Sequence, residues 1–121
     1  MKKKLSGIEL ITKERERQIT KEGRTPEHDD EHERGELASA AVCYASPFQP
    51  FVLDKRRDYY QFIDAYPPSW SQEWNKRRYS NAGWGDLVEN KDLPMNKRIR
   101  NLVKAGALIA AEIDRLQRTE E

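Results

Sequence analysis

Hydrophobic positions recur at helical spacing in several stretches of this chain, and the stretches are unequal. The strongest covers residues 95–118, where Ile99, Leu102, Val103, Gly106, Ile109, Ala110, Ile113 and Leu116 return every three or four residues. That is the period of a helix with one apolar side. Within it the run Ala105-Gly106-Ala107 is small-sided, so a second helix can approach closely there. The first stretch, residues 6–22, has a thinner face of Ile8, Ile11 and Ile19 with Leu10 beside it, and Glu14-Arg15-Glu16-Arg17-Gln18 fills the remainder. Ser6 followed three residues later by Glu9 fits a capping box. Gly23 is a natural stop.

A further helix is expected from Thr25-Pro26, a cap followed by a proline at the first helical position, or from a few residues later, which would leave His28 in the entry turn. Its core stripe is Leu37, Ala40, Ala41 and Tyr44, and Pro47 and Pro50 close it. Residues 54–65 predict a short helix carrying Tyr59, Tyr60, Phe62 and Ile63. Tyr66-Pro67-Pro68-Ser69-Trp70 reads as a turn or an extended piece. The expected fold is therefore all-α: one small domain over residues 1–121, with three main helices and a long irregular middle segment rich in Trp. A long irregular segment in a small domain is often a binding loop or lid. No internal repeat is evident.

Composition narrows the function classes. Of the 121 residues, 36% are hydrophobic and 36% charged, with a net charge of +1. A balance that close to zero gives no global argument for binding nucleic acid or membrane, and no recognition-helix signature points to specific DNA binding. The charge is uneven, however. Acids concentrate at residues 27–36, and bases at Lys55-Arg56-Arg57, Lys76-Arg77-Arg78 and Lys97-Arg98-Ile99-Arg100. An acidic site facing basic clusters would hold a metal and a phosphate together; scattered surface charge is the plainer alternative. The single cysteine, Cys43, excludes an intrachain disulfide and sits among small apolar residues as a buried hydrophobe would. No apolar run approaches the ~20 residues of a membrane span. Lys2-Lys3-Lys4 is not followed by a signal-peptide core, so an intracellular protein is expected. The thin core and the small-residue face of the last helix point to a homo-oligomer.

The candidate chemistry begins at Glu27-His28-Asp29-Asp30-Glu31-His32-Glu33-Arg34-Gly35-Glu36. On one continuous helix, His28, His32 and Glu36 would fall in a row. Such a row suits a divalent metal. Hard oxygen ligands such as Asp29 and Asp30 favour Mg²⁺ or Mn²⁺, and two imidazoles with a carboxylate favour Zn²⁺ or Fe²⁺. Direct ligand contact without a metal and a purely structural acidic helix start are the two alternatives. The middle segment supplies a second half-site: Trp70, Trp74 and Trp84 offer stacking faces, and Arg77 and Arg78 offer phosphate clamps. The alternative is that these tryptophans are core. Lys104, among the apolar positions of the last helix, either points into a cleft or snorkels at the surface.

Two family resemblances follow from these motifs. Glu14-Arg15-x-Arg17-Gln18, Glu22-Gly23, Pro26-x-His28-Asp29-Asp30-x-His32, Gly35-Glu36-Leu37-Ala38-x-Ala40-Ala41 and Arg100-Asn101-Leu102-Val103-Lys104-Ala105-Gly106-Ala107-Leu108-Ile109 resemble small phage and prophage proteins of uncharacterised activity. The likeness covers most of the chain and implies a viral accessory role in the host cytoplasm. Glu33 and Glu36 before Leu37-Ala38 also resemble the first acidic motif of MazG-like all-α nucleotide pyrophosphohydrolases, which bind Mg²⁺ and a triphosphate. Lys104 and Ala107 stand where that family would place acids in the second motif, and Glu112 and Asp114 lie at the wrong spacing.

Three functions are expected from these readings. The first is binding of a small nucleotide-like ligand, sequestering a host signalling nucleotide as a counter-defence protein. Its site would comprise His28, Asp29, Asp30, His32, Glu36, Trp74, Arg77, Arg78, Trp84 and Lys104. The second is metal-dependent nucleotide hydrolysis, with the metal on His28, His32 and Glu36. The third is inhibition of a host protein.

Overall fold

The computed structural model describes residues 4–23, 26–31, 35–70 and 89–119, with Pro26 and His28 described by their backbone only. Helix α1 (Gly7–Lys21) starts at the capping box. The Glu9 backbone N–H donates to Ser6 Oγ at 3.2 Å, and the Ser6 N–H donates to Glu9 Oε1 at 3.1 Å. Both donors would otherwise be orphans of the first turn. The chain turns away at Gly23, whose φ of 70° is a left-handed conformation that favours glycine.

The long helix α4 (Met95–Thr119) is the axis of the frame, and α1 and α3 (Glu36–Ala45) both pack along it. Leu37, Ala40, Ala41, Cys43 and Tyr44 of α3 meet Ala105, Leu108 and Ala111 of α4, and Tyr66 and Trp70 complete the core. Small residues on both helices bring the backbones close. The Ala105-Gly106-Ala107 run is consumed inside the chain: Ala105 and Ala107 are buried, and Ile11 of α1 lies over Gly106. A Cβ on Gly106 would come within 2.7 Å of Ile11 Cγ1. The small-residue face is therefore not left open for a partner.

The fold is mostly helical but not all-α. Residues expected to form a short helix over 54–65 instead lie in an antiparallel hairpin, β1 (Phe51–Lys55) with β2 (Tyr60–Asp64), in the register Val52↔Ile63 and Leu53↔Phe62. The Arg56 N–H donates to the Tyr59 carbonyl at 2.8 Å and closes a tight turn at Arg57-Asp58. Aromatic and β-branched side chains fit a pleated surface, and their pairing across strands stabilises it. Phe51, Leu53, Tyr60 and Phe62 share one face, and Val52 and Ile63 the other.

The helix expected over 25–45 is also two. A single turn, α2 (Pro26–Asp29), is separated from α3 by Gly35, which has φ 78° at the N-cap of α3. Acids at neighbouring positions repel one another along a helix, and a glycine interior costs about 1 kcal/mol relative to alanine. Both favour the break.

The C-terminal carbonyls of α3 are capped by side chains. From the 3₁₀ turn Asn90–Asp92, the Asn90 Nδ2 group donates to the carbonyls of Cys43, Tyr44 and Ser46 at 2.9, 3.1 and 2.6 Å. Arg98 Nη2 donates to the Ala45 carbonyl at 2.9 Å. Among the described residues, no helix is long and apolar enough to cross a membrane.

Candidate functional site

The acidic motif is divided between elements. Asp29, at the end of α2, has no exposed surface and accepts from Arg15 Nη2 of α1 at 2.7 Å. Asp30 accepts from Arg118 Nη2 and Nε of α4 at 2.8 and 3.1 Å. These two carboxylates fasten the single turn α2 to its neighbours on either side. Glu36 opens α3 and is half-buried. The row His28, His32, Glu36 on one helix is not formed, because α2 ends at Asp29 and Gly35 starts a new helix. The side chain of His28, and His32 altogether, lie outside the described residues.

The described part of the motif does not make a metal set. Among the described residues no group of three His, Cys, Asp or Glu side chains converges as metal ligands. Asp29 and Asp30 already serve arginines. Glu36 is the one member of the His28, His32 and Glu36 set whose side chain is described.

The second half-site also falls largely outside the described residues, since Trp74, Arg77, Arg78 and Trp84 lie in 71–88. Trp70 is described and belongs to the core. It is 5% exposed and stands edge-on to Tyr66, with ring centroids 5.9 Å apart and planes at 89°. For this tryptophan the core alternative holds.

A polar cluster that the helical pattern hides sits between α1 and α4. Glu14 is buried among charged residues that the sequence presents as surface. Arg17 donates to it through Nε at 2.8 Å and Nη2 at 2.9 Å, Arg100 through Nη1 at 2.6 Å, and Gln18 through Nε2 at 3.2 Å. Burial alone would raise the Glu14 carboxyl, but the two guanidiniums outweigh it and hold it down to about 2. Both guanidiniums keep an outer edge in solvent: the Arg17 and Arg100 side chains are 37% and 41% exposed. One carboxylate thus fixes two arginines from different helices.

Lys104 lies one turn beyond Arg100 on α4. Its ammonium is 5.5 Å from the centroid of the Tyr44 ring, a cation–π contact. Burial, with Arg100 as the next cause, pushes the Lys104 pKa down to about 8. No carboxylate among the described residues forms an ion pair with it. The side chain is half-buried and faces an aromatic ring. Arg17, Arg100 and Lys104 outnumber Glu14 and Glu22, the two acids near them. Arg17 Nη2 also donates to Glu22 at 2.8 Å; the outer edges of the two guanidiniums and the under-solvated ammonium are donors of the kind that recognise a phosphate or carboxylate.

Sequence reading finds Lys104 but not the groups around it. The Glu14, Arg17 and Gln18 spacing of three and four was a usable signal; Arg100, 86 residues from Glu14, was not. Compared with protein-family models, with curated proteins and with solved structures, the chain matches none.

Proposed function

We propose that the chain binds a small phosphate-bearing, nucleotide-like ligand and that Lys104, Arg100 and Arg17 take its anionic group. The observation that carries this reading is the Lys104 ammonium, half-buried without a carboxylate partner beside two arginines already oriented by Glu14. An anion there would restore the charge balance that burial has disturbed. In this reading Trp74, Arg77, Arg78 and Trp84 provide stacking and further phosphate contacts, and His28, His32 and Glu36 orient the sugar or a metal. Asp29 and Asp30 are left out of the contact set, since each already holds an arginine.

Holding the ligand is favoured over cleaving it, because Lys104 and Ala107 occupy the places where a MazG-like hydrolase would need acids. Placed in a host cytoplasm, as the resemblance to phage proteins suggests, such binding would sequester a signalling nucleotide. The chain acts as a homo-oligomer in this reading, supported by the row of exposed aliphatic residues on α4.

The test is native mass spectrometry of wild type and Lys104→Gln purified from cells, with chromatography of released small molecules and calorimetric titration with inorganic pyrophosphate and ATP. A phosphate-bearing compound released from wild type, or anion binding weakened tenfold or more in the variant, supports the reading. Wild type that carries nothing and binds neither anion at millimolar concentration sinks it.

A further inference from the structure

Among the described residues Lys104 is the one lysine that is not exposed: Lys4, Lys13, Lys21, Lys55, Lys91 and Lys97 all lie in solvent. The packing of α4 imposes this. Ala107 and Leu108, one turn further on, are 0 and 2% exposed, so the stem of Lys104 starts from a buried surface and carries its nitrogen along it. The buried Tyr44 ring, 5.5 Å from that nitrogen, walls one side. No hydrogen bond or ion pair among the described residues holds the nitrogen.

The charged groups around it are Glu14, Arg17 and Glu22 from α1 and Arg100 from its own helix. Side chains four residues apart on a helix stand about 5–6 Å from each other, which sets Arg100 beside Lys104. The Arg100 guanidinium is fixed by Glu14 at 2.6 Å and keeps an outer edge in solvent. An amine in poorly solvated surroundings beside another cation gives up its proton readily, and its lone pair is then free to attack.

We infer that the Lys104 amine forms an imine with an aldehyde that carries a phosphate or carboxylate, the anionic group resting on Arg100 while the carbonyl carbon reaches Nζ. The neutral Nζ lone pair attacks that carbon, and the C–N bond forms as the C=O π pair moves to oxygen. The carbinolamine then loses this oxygen as water, which takes both protons of the amine. Nothing is oxidised or reduced, and hydrolysis runs the same steps backwards. With a pKa of about 8, about one in ten of these side chains is neutral at pH 7, against about one in three thousand for a lysine at 10.5. Arg100 adds proximity by holding the anion. The inference rests on the anion site of the functional reading and not on the nucleotide. One nitrogen serves both uses: with its proton it donates to a bound anion, and without it it attacks.

The probe is pyridoxal 5′-phosphate, an aldehyde bearing one phosphate, followed by borohydride, which reduces an imine to a stable secondary amine that peptide mass mapping locates. The expected result is one adduct on the Lys104 peptide, formed at least about tenfold faster than on any exposed lysine. Pyridoxal, the same aldehyde without the phosphate, should label Lys104 at least about tenfold more slowly, and pyrophosphate should protect it. Lys104→Arg should lose this adduct and still bind pyrophosphate, which separates the nucleophile from the charge. Label spread over the lysines according to their exposure, with pyrophosphate still bound, overturns the imine and leaves the anion site standing. Equal labelling of Lys104 by the two aldehydes, without pyrophosphate binding, overturns both.

Discussion

The carboxamide of Asn101 donates to that of Asn90 at 2.8 Å, and this single bond aims the Asn90 amide at three carbonyls at the end of α3. Both asparagines are 5% exposed. Asn90→Ala leaves those carbonyls without this donor in a dry place. It is expected to cost about 2–4 kcal/mol by urea denaturation. Asn101→Ala should cost less, since it removes the orienting bond and leaves the cap.

Glu14 gives the protein an acid-sensitive joint. Its folded pKa of about 2 lies below the ordinary carboxyl value, so its contribution is present above about pH 4.5 and declines as pH falls toward 2. Glu14→Gln should be less stable than wild type at pH 7, with the gap closing on acidification. Thermal melts from pH 7 to pH 2.5 read it, and a pH-independent gap would show that Glu14 acts by packing alone.

Lys104 behaves in the opposite sense. Its folded pKa of about 8 lies below the unfolded value, so burying the ammonium costs stability at all pH values below about 8. The cost fades as pH rises toward 10.5. Lys104→Met should therefore melt at or above the wild-type temperature at pH 6–7, and wild type should gain on the variant above pH 8. Anion binding at the same group should weaken as pH rises through about 8, because the bound form requires the proton.

Adjacent aspartates should differ sharply. Asp29 is fully buried against Arg15, and Asp29→Ala takes this carboxylate from a guanidinium side chain that is 12% exposed; losses of about 3–5 kcal/mol are typical of such breaks. Asp30 and Arg118 are 48% and 31% exposed, so Asp30→Ala should cost under about 1 kcal/mol. Chemical denaturation of the two variants side by side checks the contrast. Equal effects would mean that α2 is not held by Asp29.

Helix boundaries that depend on local signals were legible. The capping box at Ser6 and Glu9 formed as written, and the heptad-like pattern over 95–118 became α4. The hairpin was missed because each face of its strands mixes apolar and polar residues, with Asp54 and Gln61 beside Val52 and Ile63, and Lys55 and Asp64 beside Leu53 and Phe62. Without a purely polar face there is no clean alternation, and Tyr59, Tyr60, Phe62 and Ile63 mimic a helical stripe. The continuous helix through His28 and Glu36 failed on Gly35, whose φ of 78° ends what the carboxylate spacing suggested. The capping role of Asn90 and the joint between Glu14 and Arg100 were invisible for another reason. The partners lie 44 to 47 and 86 residues away, and a single polar residue carries no period. Of the candidate site, Lys104 was found as a residue, while its surroundings required the packing of α1 against α4.

The hairpin has one more consequence. Among the described residues its ladder joins β1 only to β2, and Phe51, Leu53, Tyr60 and Phe62 are 55, 58, 62 and 74% exposed. Two strands alone are marginal in water. The ribbon should open without the helices: its amides should exchange with solvent orders of magnitude faster than those of α3 and α4, at a free energy far below global unfolding. The molecule then has two melting scales, and whatever settles on the ribbon gains its hold by closing the smaller one.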